Sequence, residues 1–288
     1  MTSSDIDIDL CFDKIMTTKV LFYDDLFKED YKMFCERRNI TYLPSKKDCS
    51  SCHKLDGDEF KKERIEESQR VDVKDGIFGN YILEKFEKHH VLFVYRKNEI
   101  SGVVHFGDYN RNPVCVYVYA LLLEFERKLR ELLISHGLNN NDMLDFFGKH
   151  AEKHKKNEHY SRKAEGHRKI ENQLKMKDLE PFQMFDMKDL IDLLNSKGIY
   201  EVPMAINDVL RNAIMHAKNV VRHKDYESSG LIYNFESFRE FFRLVNSLRS
   251  GIDEVSKEII PLEADEEYVV RLEQAGLFLE LNGASCID

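Results

Sequence analysis

Apolar residues along this chain recur at two different intervals. In the N-terminal part they come as short runs bounded by polar turns. Val91-Leu92-Phe93-Val94-Tyr95 is followed by a turn at Lys97-Asn98-Glu99 and then by Ile100-Ser101-Gly102-Val103-Val104-His105. Two apolar runs around a polar turn predict a β-hairpin. Asp72–Asp75 leads into a helical segment, Tyr81–His89, just before that hairpin. An earlier stretch has a similar order: the apolar run Val20–Tyr23, a helix-like Asp30–Arg38, and Ile40-Thr41-Tyr42-Leu43-Pro44. Helix followed by hairpin, twice over, predicts a βαββ-like duplicate.

From Val114 onward the interval becomes helical. Val114–Ile134 carries an apolar stripe at Val118, Leu121/Leu122, Phe125, Leu129 and Leu132/Leu133, with Tyr119, Leu123, Glu126 and Arg130 on a separate stripe. Asp142–Gly148 reads as a short helix, and Phe185–Gly198 as another that stops at Lys197-Gly198. Pro203 opens a further helix, with apolar residues at Val202, Ile206, Val209/Leu210, Ala213, Ala217 and Val220/Val221. Phe235–Ile259 has large apolar residues spaced near 3.5, which suits packing on another long helix of this chain or of a partner. Pro113 marks the start of the helical part. The tail Pro261–Asp288 is acidic, with a strand-like Leu277–Leu281.

Within the helix opened by Pro203, Leu210-Arg211-Asn212-Ala213-Ile214-Met215-His216 concentrates chemistry. Asp208, Asn212, His216 and Asn219 follow at steps of four, four and three and share one face. Arg211 lies five before His216 and points elsewhere, so a long side chain or a break in the helix must bring the guanidinium to the imidazole. Those groups suit a phosphodiester. Arginine clamps phosphoryl oxygens in a bidentate manner, and histidine moves a proton near neutral pH.

Composition narrows the classes. A net charge of −9 argues against a protein that coats DNA. No apolar run approaches the roughly 20 residues that span a bilayer, and the acidic start shows no leader, so a cytoplasmic location is expected. The six cysteines are Cys11, Cys35, Cys49, Cys52, Cys115 and Cys286; in the cytosol they are expected to be reduced. Cys49, Cys52 and His53 could supply three zinc ligands, with Cys11 or Cys35 as a fourth; free thiols in a loop are the favoured reading. Lys149–Lys169 holds eight Lys/Arg, four histidines (His150, His154, His159, His167) and three acids. It reads as a solvated segment or as an arm holding an RNA backbone, with Tyr160 available for stacking.

The Arg211/Asn212/His216 spacing resembles the R-N-x-x-x-H signature of the HEPN superfamily. Phe125-Glu126-Arg127-Lys128-Leu129-Arg130 is similar to the E-x-x-L-R signature of its first helix. Residues 12–112 resemble a tandem CBS (Bateman) module. Gly102-Val103-Val104-His105-Phe106-Gly107-Asp108 matches that family's G-h-h-[ST]-x-x-D, with His105 in place of the hydroxyl residue and no second copy of the motif. The resemblances imply an α+β chain: a CBS-like α/β regulatory module (12–112), then an all-α HEPN-like domain (113–288). They imply a metal-independent endoribonuclease of toxin or antiviral-defence type, working as a homodimer on RNA with its site at the dimer interface. His216 would be acid or base and Arg211 the charge clamp. Asn212 would orient either one, and Glu126 or Arg130 would hold Arg211. No cofactor is needed for catalysis. An adenine nucleotide at Asp108 and His105 would regulate, Asp108 accepting from ribose hydroxyls. The alternative is a non-catalytic, nucleotide-binding dimeric scaffold.

Overall fold

The structure is a computed structural model. It describes residues 10–15, 20–25, 33, 35, 40–57, 59–153, 161–163, 165–166, 181–222 and 233–259. In chain order the elements are α1 (Phe12–Ile15), β1 (Tyr42–Pro44), β2 (Ser51–Asp56), β3 (Glu59–Arg64), β4 (Arg70–Asp72), α2 (Asn80–Lys88), β5 (Val91–Arg96), β6 (Glu99–His105), α3 (Asn112–Ser135), α4 (Asn140–Lys153), α5 (Met187–Lys197), α6 (Asn212–Met215) and α7 (Phe235–Glu258). The architecture is mixed α+β. Two compact units form, one from Met1–Glu126 with Glu201–Asp253, the other from Arg127–Tyr200 with Glu254–Asp288. The start of α3 at Asn112-Pro113 is a helix boundary, not a boundary between these units. Among the described residues no helix is long and apolar enough to cross a membrane.

The first unit holds two three-stranded sheets. In one, β5 lies between β4 and β6, parallel to β4 and antiparallel to β6. A parallel pair needs a crossover, and α2 supplies it. This is the predicted helix and hairpin, joined by β4 into a βαββ unit. Central β5 is buried at five successive positions, whereas edge strand β6 alternates between buried and half-buried, as position in a sheet dictates. Arg96 pairs with Glu99, so the hairpin loop is Lys97-Asn98, and Lys97 has φ +60°.

The other sheet corrects the expected duplication. Strands β1, β2 and β3 are antiparallel in sequence order, a meander. It lies partly in the charged stretch after Pro44. Strand β3, Glu-Phe-Lys-Lys-Glu-Arg, is half-buried only at Phe60 and exposed elsewhere, so it has no apolar alternation to read. The Val20–Tyr23 run forms no strand; Tyr23–Asp25 is one 3-10 turn. Of the predicted Asp30–Arg38 helix, Met33 and Cys35 are helical, and the rest lies outside the described residues.

The core of the first unit is aromatic. Tyr109 is fully buried, and its hydroxyl donates to the carbonyl of Ile77. Phe238 sits 4.9 Å from Tyr109 and 5.3 Å from Phe86, and Phe242 sits 5.5 Å from Phe78, ring centre to ring centre. Burying each such ring contributes about 1.5–3 kcal/mol, and each tilted pair adds about 0.5–1.5 kcal/mol. The aromatic residues of α7 therefore pack within this chain, on Phe78 and Phe86 of the βαββ unit and on Tyr109 just after it.

The second unit is helical where described. Leu129, Leu132 and Leu133 of α3, Phe146 and Phe147 of α4, and Leu190, Ile191, Leu193 and Leu194 of α5 are buried. Helix α4 runs to Lys153, longer than predicted, and takes up the start of the basic segment. Asp186 caps α5 by accepting from Asp189 N, and Gly198 ends it at φ +66°, the left-handed conformation that favours glycine. The tail after Ile259, including Leu277–Leu281, lies outside the described residues.

Candidate functional site

The segment carrying Arg211, Asn212 and His216 belongs to the first unit. Buried Val202, Ile206 and Leu210 and half-buried Ile214 succeed one another at steps of four. Such a series drifts around a helix of 3.6 residues per turn, and one widened turn takes up the drift. Ile206–Arg211 is that turn, a π-helix leading into α6. π-Turns are rare and often lie at functional sites.

The helix is shorter than its sequence pattern predicts. It ends at Met215, with His216 as its C-cap. Lys218 N bonds to Ala213 O at 2.9 Å, and Ala217 N to Ile214 O at 3.1 Å, around Ala217 at φ +49°. This closure usually employs glycine; alanine in the left-handed region costs about 1–2 kcal/mol. The stop removes Asn219 from the polar stripe and leaves Asp208 and Asn212 on the helix, with His216 at its cap.

His216 is exposed, Arg211 and Asn212 half-buried. Asn212 Nδ2 donates to Asp208 O at 3.0 Å, a bond back along its own helix. Among the described residues, neither the guanidinium of Arg211 nor the imidazole of His216 makes a hydrogen bond or ion pair, so the structure does not join them directly. Glu126 and Arg130 lie one turn apart on α3, both half-buried and in different units. No hydrogen bond or ion pair links Glu126 to Arg211 among the described residues. Exposed Val209 and Met215 flank the motif.

One residue here carried no sequence signal. Asn207 is only 4% exposed. Its Nδ2 donates to Asp208 Oδ1 at 2.8 Å, and its Oδ1 is buried without a hydrogen-bond partner among the described residues. A buried amide oxygen left unpaired costs about 1–3 kcal/mol.

Asp108 and His105, the expected nucleotide residues, are engaged in the fold itself. Asp108 Oδ2 accepts from His105 N at 2.8 Å, and its Oδ1 lies 2.7 Å from the Arg111 guanidinium. His105 Nδ1 accepts from Gly107 N at 2.9 Å. The two side chains thus cap the 3-10 turn Phe106–Asn110 reciprocally. Burial pushes the Asp108 carboxyl up, against the pull of Arg111. Burial, with nearby His90, pushes the His105 imidazole down to about 4.

The cysteine pair does not converge on a metal. Cys52 and His53 are consecutive in β2 and point to opposite faces. Cys52 is buried against Ile65, Phe93, Tyr95 and Ile100, which pushes its thiol up to about 11. His53 stacks on Tyr23 at 3.6 Å. Cys35 packs in a different cluster, with Leu43. Among the described residues there is no group of three His, Cys, Asp or Glu that could hold a metal ion.

Within the basic segment, His150 and Lys163 have structural partners. The His150 ring lies 4.0 Å from that of Phe146, with Nδ1 3.1 Å from Phe146 O. Lys163 bonds to Asp189 and Asp186. His154, His159, Tyr160 and His167 lie outside the described residues. The chain matches no family model, no curated protein and no solved structure.

Proposed function

We propose that this chain is a metal-independent endoribonuclease that works as a homodimer. The observation that carries this reading is the state of Arg211 and His216. Arg211 closes the π-turn and His216 caps the end of the same helix, and no hydrogen bond or ion pair occupies either side chain among the described residues. An arginine and a histidine whose polar groups are uncommitted remain available to a ligand, and a phosphodiester uses both. The 2′-hydroxyl of the RNA attacks the adjacent phosphorus, the bond to the 5′-oxygen breaks, and a 2′,3′-cyclic phosphate and a 5′-hydroxyl result. His216 takes or returns the proton. Arg211 stabilises charge on the phosphorane, and Asn212 orients either one. Because one chain does not join Arg211 to His216, a second copy completes the set across a two-fold axis. Toxin or antiviral-defence activity in the cytoplasm is the biological setting proposed.

The test is incubation of the purified chain with total RNA in excess chelator, wild type against His216→Ala. Cleavage that persists in chelator and falls at least about a hundredfold in the variant is expected. Activity lost in chelator and restored by Mg²⁺ or Mn²⁺ would overturn the metal-independent mechanism. A second reading, a non-catalytic dimeric scaffold, is favoured by one observation: Val116, Tyr119 and Leu123 form an exposed apolar stripe on α3. RNA left uncut by a folded, dimeric wild type would support it.

A further inference from the structure

The first unit contains a cavity of about 670 Å³, some distance along the chain from both the Arg211 motif and Asp108. That volume lies within the range of small-molecule sites. It is framed by β4, the start of α2, the end of β5 and the hairpin loop, with Cys49 and Ser50 contributed by the loop before β2. The space outside the carboxyl ends of parallel strands, here β4 and β5, is where open α/β sheets bind ligands.

The charges lining it are unequally committed. On the acidic side, Asp75 Oδ2 accepts from Asp72 N at 2.8 Å, Asp72 Oδ1 accepts from Lys74 N at 2.9 Å, and Glu67 pairs with Arg70 at 3.5 Å. These carboxylates serve their own turns. On the basic side, Lys97 has no hydrogen bond or ion pair among the described residues. Lys85 reaches only the carbonyls of Glu67 and Ser68, each at 3.4 Å. Arg70 lies over the ring of Tyr95 at 5.2 Å, which holds its guanidinium in place. The lining is balanced, three cations against three carboxylates, but among the described residues Lys97 is unengaged and Lys85 is held only by two carbonyls, so these two ammonium groups are the ones open to a ligand.

It also offers a ring. Tyr81 is 43% exposed and lines the cavity. Its ring lies against Gly79, where a Cβ would come within 2.9 Å of it. The ring is packed on one side by Gly79 and leaves exposed surface for stacking.

We infer that this cavity binds a small organic anion carrying a planar ring, the ring on Tyr81 and the anionic group on Lys97 and Lys85. The site is independent of the proposed ribonuclease chemistry and differs from the capped Asp108. Calorimetry on the full chain tests it with the four ribonucleoside monophosphates, their nucleosides and inorganic phosphate. At least one monophosphate is expected to bind, about tenfold or more tighter than its nucleoside or phosphate alone. Lys97→Glu and Tyr81→Ala, both at exposed positions, should each weaken it about tenfold or more, the order expected for a charge-assisted bond or a stacked ring. Bound ligand should slow alkylation of Cys49, followed by mass spectrometry. Failure of all four to bind overturns the inference. So does affinity unchanged in both pocket variants, or affinity lost in Asp108→Asn while the pocket variants keep it.

Discussion

Lys163 forms a largely buried ion pair with Asp189. The lysine side chain is 20% exposed and the carboxylate side chain 5%. The same ammonium reaches Asp186, the N-cap of α5, at 3.3 Å, and lies over the ring of Phe147 at 5.7 Å. A lysine from the most basic stretch of the sequence thus ties that stretch to the start of a helix.

Replacing Lys163 with methionine keeps most of the side-chain volume and leaves Asp189 buried without its cation. Removing one partner of such a pair costs about 3 kcal/mol, read as a lower urea midpoint. Burial raises the pKa of Asp189, Lys163 opposes that rise, and Asp186 adds to it. A raised carboxyl favours folding below its unfolded value of 3.8 and loses that contribution as pH climbs through the folded value. The deficit of Lys163→Met should therefore be small at about pH 4 and full at about pH 8. An equal deficit at both would show that packing, not charge, is the cause.

His105 provides a second pH dependence of opposite sense. Its folded value is about 4 against 6.5 unfolded. A depressed histidine contributes stability that is present above 6.5 and lost as pH falls towards 4. The full contribution is about 2–3 kcal/mol, after a discount for partial exposure. Asp108 runs the other way, because burial raises it, so the useful comparison is with His105→Asn, which retains an acceptor for Gly107 N. The variant should lose less stability than wild type between about pH 7 and pH 4.5. Parallel pH curves for the two proteins would contradict this.

Much of the fold was legible because hydrophobic spacing dominates where elements are half-buried. The hairpin of β5 and β6, the stop of α5 at Gly198 and the stripe of α7 all follow from it. The β2–β3 hairpin was not, since β3 shows almost no apolar face, although Asp56-Gly57 is a turn signal. In the motif helix, the candidate residues Arg211, Asn212 and His216 stood out by type, but the place where the helix ends was not legible. Ala217 carries no helix-stop signal, and only the tertiary structure places it in a left-handed conformation. Asp108 shows the converse: its sequence pattern suggested a ligand contact, and the structure engages it as a cap.

Ala217→Gly should relieve that conformation. Alanine there costs about 1–2 kcal/mol, and glycine loses about 0.5–1 kcal/mol in backbone entropy. A net gain of about 0.5–1 kcal/mol, seen as a raised melting temperature, is expected. Ala217→Val should lower stability, because a β-branched residue is more strained at positive φ.

A site completed by a second copy makes a kinetic prediction. The chain should scatter light as a dimer of twice the 34.0 kDa protomer. Mixed dimers with one His216→Ala subunit should lose far more than half of the RNA cleavage. Half-activity would mean two independent sites, and a monomer that cuts RNA would remove the shared site altogether. Arg211→Lys should remain impaired, because a point charge does not replace a bidentate fork.

Asn207 separates a role in the fold from a role at the site. Its orphaned Oδ1 opposes folding, and its Nδ2 holds Asp208, whose own carbonyl accepts from Asn212. Replacing the buried amide with leucine, of the same branched shape though somewhat larger, removes the unpaired oxygen and the grip on Asp208 together. Stability should be unchanged or higher by up to about 1 kcal/mol, since exchanging a poorly satisfied polar group for an apolar one is near neutral or favourable. If Asn207 is retained to set the geometry of Asp208 and Asn212 beside His216, RNA cleavage should fall about tenfold or more while the unfolding midpoint holds. Asn207→Asp distinguishes the cause: it places a second carboxylate beside Asp208 in a buried position and should lower both stability and rate. A leucine variant that loses more than about 2 kcal/mol yet cuts RNA at the wild-type rate would assign Asn207 to the fold alone.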